Sequence, residues 1–162
     1  MNQIDILAGL TPNSEMYKIR RERPEFVEGT ELSRETVLAP KNGFSISHAV
    51  RAALAARMAR QIGLDRLAAT YDARLEESGA TPLLATIASG AEPEGADDFL
   101  RAIVRHADLI TREPRKATRE DIERLAAAGL SNPQIIAISE LIAFLNYEAR
   151  IITALAVLED VE

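Results

Sequence analysis

The sequence predicts a folded, all-α domain of about seven or eight helices, and its composition supports both the helical class and the globular character. Aromatic residues make up only 4% of the chain, while long stretches of Ala, Leu, Ile, Arg and Glu favour helix over strand. Hydrophobic residues reach 47% and charged residues 27%, which is typical of a folded globular chain. The 162 residues fit one domain, which we expect to span 1–162.

Residues 1–43 are expected to form an N-terminal layer of short helices. Ser14 follows a turn and can cap a helix that ends before Pro24. A second helix is predicted over about Pro24–Leu38. The segment 40–43 contains Pro and Gly and closes this layer.

Residues 44–162 carry the clearer helix signals. Apolar residues recur at helical spacing over Ser45–Ile62, and Gly63 ends that helix. The next helix is predicted from Leu64 to about Glu77. Thr81 and Pro82 then open a short helix, with Thr81 as its cap and Pro82 at its first position.

A connection over 90–96, which contains two Gly and one Pro, separates these helices from three more and is the best candidate for a boundary within the chain. In the first of the three, apolar residues from Phe99 to Ile110 form a stripe opposite a charged row. That helix is expected to stop before Pro114.

Two capping boxes predict where the last two helices begin. Thr118 and Asp121 form the first box, and Ser131 and Gln134 form the second. The final helix is expected to run to about Leu158.

The final helix has apolar residues around nearly its whole circumference, which predicts that it is buried, in part by another subunit. These residues are Ile135, Ile136, Ile138, Leu141, Ile142, Phe144, Leu145, Ile151, Ile152, Leu155 and Leu158. A narrow polar stripe, formed by Ser139, Asn146, Arg150 and Thr153 with Ala143 between them, interrupts the apolar surface. Arg150 and Asn146 are candidates to bind a carboxylate. Alternatively, the polar stripe forms hydrogen bonds with backbone groups of a neighbouring helix, or Arg150 pairs with Glu140 or Glu148 of a partner chain.

Two pieces of the C-terminal part, AT..D...L..AGLS..QI and LIAF.N...R, lie between His106 and Ile151. This run resembles the C-terminal half of proteins in the carboxymuconolactone decarboxylase and alkylhydroperoxidase D-like superfamily, and its peroxidase-related branch in particular. The likeness covers about a third of the chain and continues more weakly back to Ser45, so we expect a carboxymuconolactone decarboxylase-like region over 44–162. The resemblance implies an all-α protomer whose helices interlock in homo-oligomers.

Peroxidases of that superfamily carry a Glu and, twelve residues later, the motif Cys-x-x-Cys-x-x-x-His. With the helix break at Gly63, this spacing places Ala52 at the Glu position, Leu64 and Leu67 at the cysteine positions and Tyr71 at the histidine position. None of the four matches, and the chain has no cysteine. Peroxide reduction by this route needs a thiolate and a resolving thiol. The sequence therefore predicts no thiol peroxidase activity.

Two function classes remain open. The favoured one is a redox-inactive binding or assembly protein. The alternative is a cysteine-independent acid/base enzyme of the decarboxylase or lactone type, with His106 and Tyr71 as catalytic groups and Asn146 and Arg150 holding a small carboxylate substrate. Each group also has a structural interpretation, because His106 lies on the apolar side of its helix and the Tyr71 ring can pack with its hydroxyl bonded to a partner.

Several classes of site and partner are excluded or disfavoured. The absence of cysteine excludes disulfides, Cys-ligated zinc and iron–sulfur clusters, and His48 and His106 are the only imidazoles, so we expect no metal and no cofactor. A net charge of −6 disfavours nucleic acid as a partner. The first ten residues do not look like a signal peptide, and the uncharged stretch 125–139 is too short to span a membrane. We therefore expect a cytoplasmic protein without a membrane partner.

Overall fold

The structure, a computed structural model, describes residues 1–160 and contains within them nine α-helices, one 3-10 turn and no strand. The predicted all-α fold is confirmed, and the last two residues of the predicted domain 1–162 lie outside the described residues. The helices are α1 (Gln3–Leu7), α2 (Glu15–Arg21), α3 (Pro24–Leu38), α4 (His48–Ile62), α5 (Asp65–Gly79), α6 (Pro82–Ala88), α7 (Asp98–Arg112), α8 (Arg119–Ala127) and α9 (Asn132–Glu159).

The predicted starts of α2, α6, α8 and α9 agree with the structure, and each of these helices has a local polar cap. Ser14 caps α2 and Thr81 caps α6, each accepting a hydrogen bond from a backbone amide. The two predicted capping boxes stand at the starts of α8 and α9. An additional box formed by Asn2 and Asp5 starts α1, which raises the number of helices above the predicted seven or eight.

The start of α4 differs from the prediction. The helix begins at His48 and is capped by Ser47, whereas the apolar spacing placed its start at Ser45. Phe44 and Ser45 adopt left-handed backbone conformations, with φ of 50° and 62°, which no helix can include. The buried Arg51 holds this turn, because its guanidinium donates hydrogen bonds to the carbonyl oxygens of Val37 (2.9 Å), Gly43 (3.0 Å) and Ile46 (3.2 Å).

Helix α4 lies at the centre of the protein and contacts α3, α5, α6, α7 and α9. Every residue from 51 to 59 is buried, and most of them are alanines or other apolar residues. Small side chains allow several helices to approach one axis closely. Gly63, with φ of 85°, ends α4 as predicted, because the left-handed conformation there favours glycine.

An ion pair between α4 and α7 fixes the position of α7. Arg57 donates from Nε and Nη2 to the two carboxylate oxygens of Asp108, each at 2.7 Å. Gln61, one turn further along α4, donates to the same carboxylate at 2.5 Å. Arg57 also holds the connection 90–96 by donating to the carbonyl oxygen of Ala91 at 2.6 Å.

Helix α9 is buried along one side and exposed along the other. Ile138, Leu141 and Leu145 belong to the core, whereas Ile136 and Val157 are each 58% exposed. By length and composition alone α9 is apolar enough to cross a membrane, although the uncharged stretch 125–139 is too short to do so. The core helix of a folded domain meets the same criterion, and 44% of the most apolar part of α9 is buried inside the protein.

Candidate functional site

The structure divides the four predicted site residues among three places. Tyr71 belongs to a buried polar network between α3, α5 and α9. His106 lines a cleft between α7, α8 and α9, and Asn146 and Arg150 line a separate hollow between α4, α7 and α9.

The network around Tyr71 is centred on the carboxylate of Glu148, which is 0% exposed. Tyr71 donates its hydroxyl proton to Oε2 of Glu148. Arg34 donates to Oε1 from Nε at 2.9 Å and from Nη2 at 2.5 Å, and Gln3 donates to the same oxygen at 3.2 Å. Burial is compensated here by a counter-charge and several hydrogen bonds, as a buried carboxylate requires.

This arrangement favours a structural role for Tyr71. Burial, followed by the adjacent Glu148 carboxylate, raises the pKa of Tyr71 well above its ordinary value, so the phenol stays protonated. Its one proton is already donated to Glu148. The predicted interpretation that the Tyr71 hydroxyl is bonded to a packing partner is confirmed. Glu148 is likewise buried and bonded within its own chain, so it offers no free carboxylate to Arg150 of a partner chain.

The positions that the peroxidase spacing assigns to the redox centre are packed with apolar side chains. Ala52 is 0% exposed, Leu67 is 1% exposed, and Leu64 packs against the same core. These positions therefore carry packing side chains, and none of them carries a thiol.

His106 and Tyr71 do not share a site. The cleft of His106 includes Ser139 of α9, whereas Tyr71 is bonded to Glu148 of the same helix. The nine residues that separate Ser139 from Glu148 amount to about two and a half helical turns, so the two lie on opposite sides of α9. The predicted pairing of His106 with Tyr71 as catalytic groups is therefore not assembled within one chain.

The hollow between α4, α7 and α9 has a volume of about 340 Å³. Its lining consists of Gln61, Ile62, Thr111, Arg112, Asn146, Ala149 and Arg150. Asn146 is largely buried, and its Nδ2 donates to the carbonyl oxygen of Ile142 at 3.0 Å and to Oγ1 of Thr111 at 3.3 Å. Arg150 donates to the carbonyl oxygen of Asn146 at 3.4 Å.

The charge in this hollow is positive. Among residues 1–160, neither Arg112 nor Arg150 has a carboxylate within 4.0 Å, although most arginines of the chain are paired. Asp108, one turn before Arg112 on α7, is already bonded to Arg57 and Gln61. Two exposed, unpaired guanidinium groups beside the buried amide of Asn146 and the half-buried hydroxyl of Thr111 can bind a small anion.

The polar stripe of α9 identified Asn146 and Arg150 but not their neighbours on other helices. Arg112 and Thr111 come from the end of α7, and Gln61 comes from the end of α4. Arg112 follows other charged residues of α7 and stands just before Pro114. The charged end of any solvent-exposed helix would show the same pattern. Nothing in its spacing distinguishes it as part of a site.

The cleft of His106 is smaller and mainly apolar, with a volume of about 270 Å³. His106 is only 4% exposed, and its Nδ1 is buried without a hydrogen-bond partner. Burial lowers the pKa of His106, which the Asp121 carboxylate partly opposes and Arg105 reinforces. The pKa of Asp121 is itself lowered to about 2, chiefly by the backbone amide of Thr118, so this carboxylate is ionised at neutral pH.

No metal site follows from the residues described. Within residues 1–160, no group of three or more His, Asp or Glu side chains is arranged to hold a metal ion.

Comparisons with known proteins support the fold and leave the activity open. No family model matches the sequence, and no curated protein matches it. The fold is similar to the crystal structure of an uncharacterized peroxidase-related protein from Silicibacter sp. TM1040, with a TM-score of 0.71 and 18% sequence identity. That alignment covers 82% of this chain and 69% of the other. The likeness shows a shared all-α fold, consistent with the alkylhydroperoxidase-like fold that the sequence resemblance implied.

Proposed function

We propose that the protein is a thiol-independent binding protein with an alkylhydroperoxidase-like fold, and that its ligand is a small carboxylate held in the hollow of Asn146 and Arg150. One observation carries the proposal: Arg112 and Arg150 line the same hollow and have no carboxylate partner among residues 1–160. Two cations close together repel each other, and an anion between them relieves that repulsion.

The hydrogen bonds in the hollow favour a ligand with polar groups beside its carboxylate. Asn146 donates from Nδ2 to Ile142 and Thr111, which leaves its Oδ1 free to accept a hydrogen bond from a ligand. Thr111 accepts from Asn146, so its own hydroxyl proton can be donated. A guanidinium fork grips two carboxylate oxygens at once. Together these groups fit a small hydroxy or oxo acid.

Binding of small acids to the purified protein tests the proposal. Acetate, lactate and benzoate are titrated by calorimetry, with acetamide, lactamide and benzamide as uncharged counterparts. We expect saturable binding of at least one acid and none of its amide. Arg150→Lys should weaken this binding about tenfold while the fold stays intact, because lysine keeps the charge and loses the fork.

A matched control separates the site from general surface charge. Arg115→Ala removes an exposed arginine that does not line the hollow and should leave binding unchanged. Arg112→Ala and Arg150→Ala should each abolish detectable binding. If no acid binds, or if binding survives both of these changes, the proposed ligand site is wrong.

The proposal includes loss of peroxidase chemistry. The chain has no cysteine, and Leu67 is buried at one of the positions where the superfamily's thiols stand. We expect no dithiol-dependent reduction of an alkyl hydroperoxide above the rate in buffer. Turnover by the metal-free protein would contradict this part of the proposal.

We also propose that the protein assembles as a homo-oligomer through α3 and α9. A groove of about 730 Å³ runs between these helices, and Leu32, on its rim, is 71% exposed. Val157 and Leu158 add further exposed apolar area near the end of α9. Contiguous exposed apolar surface often marks a protein–protein interface, because the surface of a monomer rarely contains large apolar patches.

Light scattering tests the assembly. The protein should be larger than a monomer at micromolar concentration, and Leu32→Glu or Val157→Glu should dissociate it. Ser78→Glu, at the exposed end of α5, is the control and should not. A stable monomer of the parent protein would refute the proposed assembly.

The second candidate is an acid/base enzyme of the decarboxylase or lactone type. It is favoured by one observation: the hollow and the cleft of His106 are neighbours, since Asn146 lies one turn from Ile142 on α9. His106, without Tyr71, would then be the proton-transfer group. Product analysis after incubation with the acid that binds best tests it, and unchanged ligand would exclude that reaction.

The expected cytoplasmic location, and the expectation of no nucleic-acid or membrane partner, belong to the same proposal. The net charge of −6 supports the part that concerns nucleic acid.

A further inference from the structure

The cleft of His106 lies beside the carboxylate hollow but has a different lining. Apolar side chains dominate it: Ile110, Ala117, Ile122, Ile142 and Ala143. Its polar groups are His106 and the hydroxyls of Thr118 and Ser139.

Both hydroxyl groups already donate their protons within the protein. Thr118 donates to Oδ2 of Asp121 at 3.1 Å, and Ser139 donates to the carbonyl oxygen of Ile135 at 2.8 Å. His106, by contrast, has no hydrogen bond at either ring nitrogen among residues 1–160, and its Nδ1 is fully buried. Because Nδ1 has no accessible surface, a molecule in the cleft can reach only Nε2, which is unpaired and keeps some accessible surface although His106 as a whole is 4% exposed. Buried polar side chains normally have hydrogen-bond partners, so Nε2 is the atom whose partner is missing in this cleft.

We infer that this cleft is a second binding site, which takes a small, mainly apolar and uncharged molecule with one hydroxyl group that bonds to His106. A hydroxyl both donates and accepts, so it matches an imidazole nitrogen whichever of the two carries the proton. The apolar lining buries the body of the ligand, and a volume of about 270 Å³ admits a single small ring.

The charges beside His106 favour an uncharged ligand over an acid. Asp121 is ionised, and it is bonded to Arg105 at 3.1 Å and to Arg124 at 3.0 Å, so these arginines are already paired. A ligand carboxylate in the cleft would lie near the charge of Asp121, which is bonded to the lining residue Thr118, and would find no free cation. This distinguishes the cleft from the hollow, where Arg112 and Arg150 have no carboxylate partner among residues 1–160.

Para-cresol is the probe, and toluene is its counterpart without a hydroxyl. Nuclear magnetic resonance of the imidazole groups reports the site directly, because His48 and His106 are the only histidines. His48 is exposed near the carbonyl oxygen of Pro40 and serves as an internal control. We expect saturable shifts of the His106 signals and none of His48.

The hydroxyl should contribute a measurable preference. Para-cresol should bind the parent protein about fivefold more tightly than toluene, which corresponds to one net hydrogen bond. In His106→Phe, para-cresol and toluene should bind equally well, because an aromatic ring is kept and both ring nitrogens are lost.

Two further variants keep the test decisive if His106→Phe does not fold. Ser139→Leu fills the cleft from α9 and should abolish binding of both probes. Thr70→Leu is its matched control on α5, because Thr70 also donates to the carbonyl oxygen four residues earlier and lines none of the pockets described. It should bind both probes like the parent protein.

The outcomes also separate this inference from the proposed carboxylate site. Arg150→Ala should leave para-cresol binding unchanged, and Ser139→Leu should leave carboxylate binding unchanged. The inference is overturned if para-cresol does not bind saturably, if toluene binds equally well to the parent, or if binding survives Ser139→Leu.

Discussion

Replacing Arg34 with methionine is expected to destabilise the protein by about 3 to 5 kcal/mol, because it leaves the Glu148 carboxylate buried without a counter-charge. Glu148 accepts two hydrogen bonds from Arg34, one from Gln3 and one from Tyr71. The change removes the two charge-assisted bonds and, among residues 1–160, the only cation bonded to Glu148. Two neutral donors remain, and neither carries a charge.

A second ion pair supplies a control of the same chemistry. Arg74 donates to both carboxylate oxygens of Glu35, at 2.7 and 2.6 Å, but the Glu35 side chain is 60% exposed. Water can replace the arginine there, so Arg74→Met should lower the free energy of unfolding by no more than about 1 kcal/mol. The difference between the two variants measures the effect of burial.

Removing both partners tests the same reasoning from the other direction. The double change Arg34→Met with Glu148→Leu deletes the buried charges together and should recover most of the stability lost in Arg34→Met. Urea unfolding followed by circular dichroism at 222 nm gives the free energies of unfolding. The dependence of that free energy on urea concentration should be the same for the parent and all variants. If Arg34→Met costs no more than Arg74→Met, the assignment of Glu148 as a buried, arginine-dependent carboxylate is refuted.

Three further predictions concern buried polar groups. Arg51→Met should lower the free energy of unfolding by more than about 2 kcal/mol in urea titrations, because three carbonyl oxygens lose a hydrogen bond and only that of Gly43 keeps another, from the Ile46 amide. An effect below about 0.5 kcal/mol would refute the proposed restraint of the turn before α4. The pKa of His106 is lower in the folded than in the unfolded chain, so its contribution to stability is present above about pH 6.5 and is lost as the pH falls. The melting temperature of His106→Phe should therefore decrease less between pH 7 and pH 5 than that of the parent protein. An equal decrease would contradict the lowered pKa. The pKa of Tyr71 is raised in the folded chain, so the contribution of Tyr71 to stability is present below about pH 10 and is lost above it. Between about pH 10 and pH 12, the melting temperature of Tyr71→Phe should decrease less than that of the parent protein. An equal decrease would contradict the raised pKa.

The features that the sequence predicted well depend on residues close together in the chain. A capping box joins side chains three residues apart, so Thr118 and Asp121 revealed the start of α8 without any knowledge of the tertiary structure. The start of α4 was misplaced because a contact from Arg51 to the carbonyl oxygens of Gly43 and Ile46 holds the preceding turn, and the apolar spacing contains no trace of it.

The features that the sequence did not predict join residues far apart in the chain. Arg34 and Glu148 are separated by 114 positions, and each alone looks like one more charge on a helix. The polar stripe on α9 was recognisable because its members share one helix, whereas the arginine at position 112 that faces it depends on how α7 and α9 pack. Helical periodicity identifies which side of a helix is polar, and it does not identify what lies opposite.

The alanine-rich centre of α4 has a consequence for the history of this fold. Ala52, Ala53, Ala55 and Ala56 are all 0% exposed, so a larger side chain at any of them would overpack the core by about 1 to 3 kcal/mol, and a charged one would also need a partner. A larger side chain at position 52 would therefore require smaller neighbours at the same time, so several substitutions would have to occur together. New functions on this fold are therefore expected to arise in the cleft and the hollow between α7 and α9, because a single larger side chain can be accommodated there.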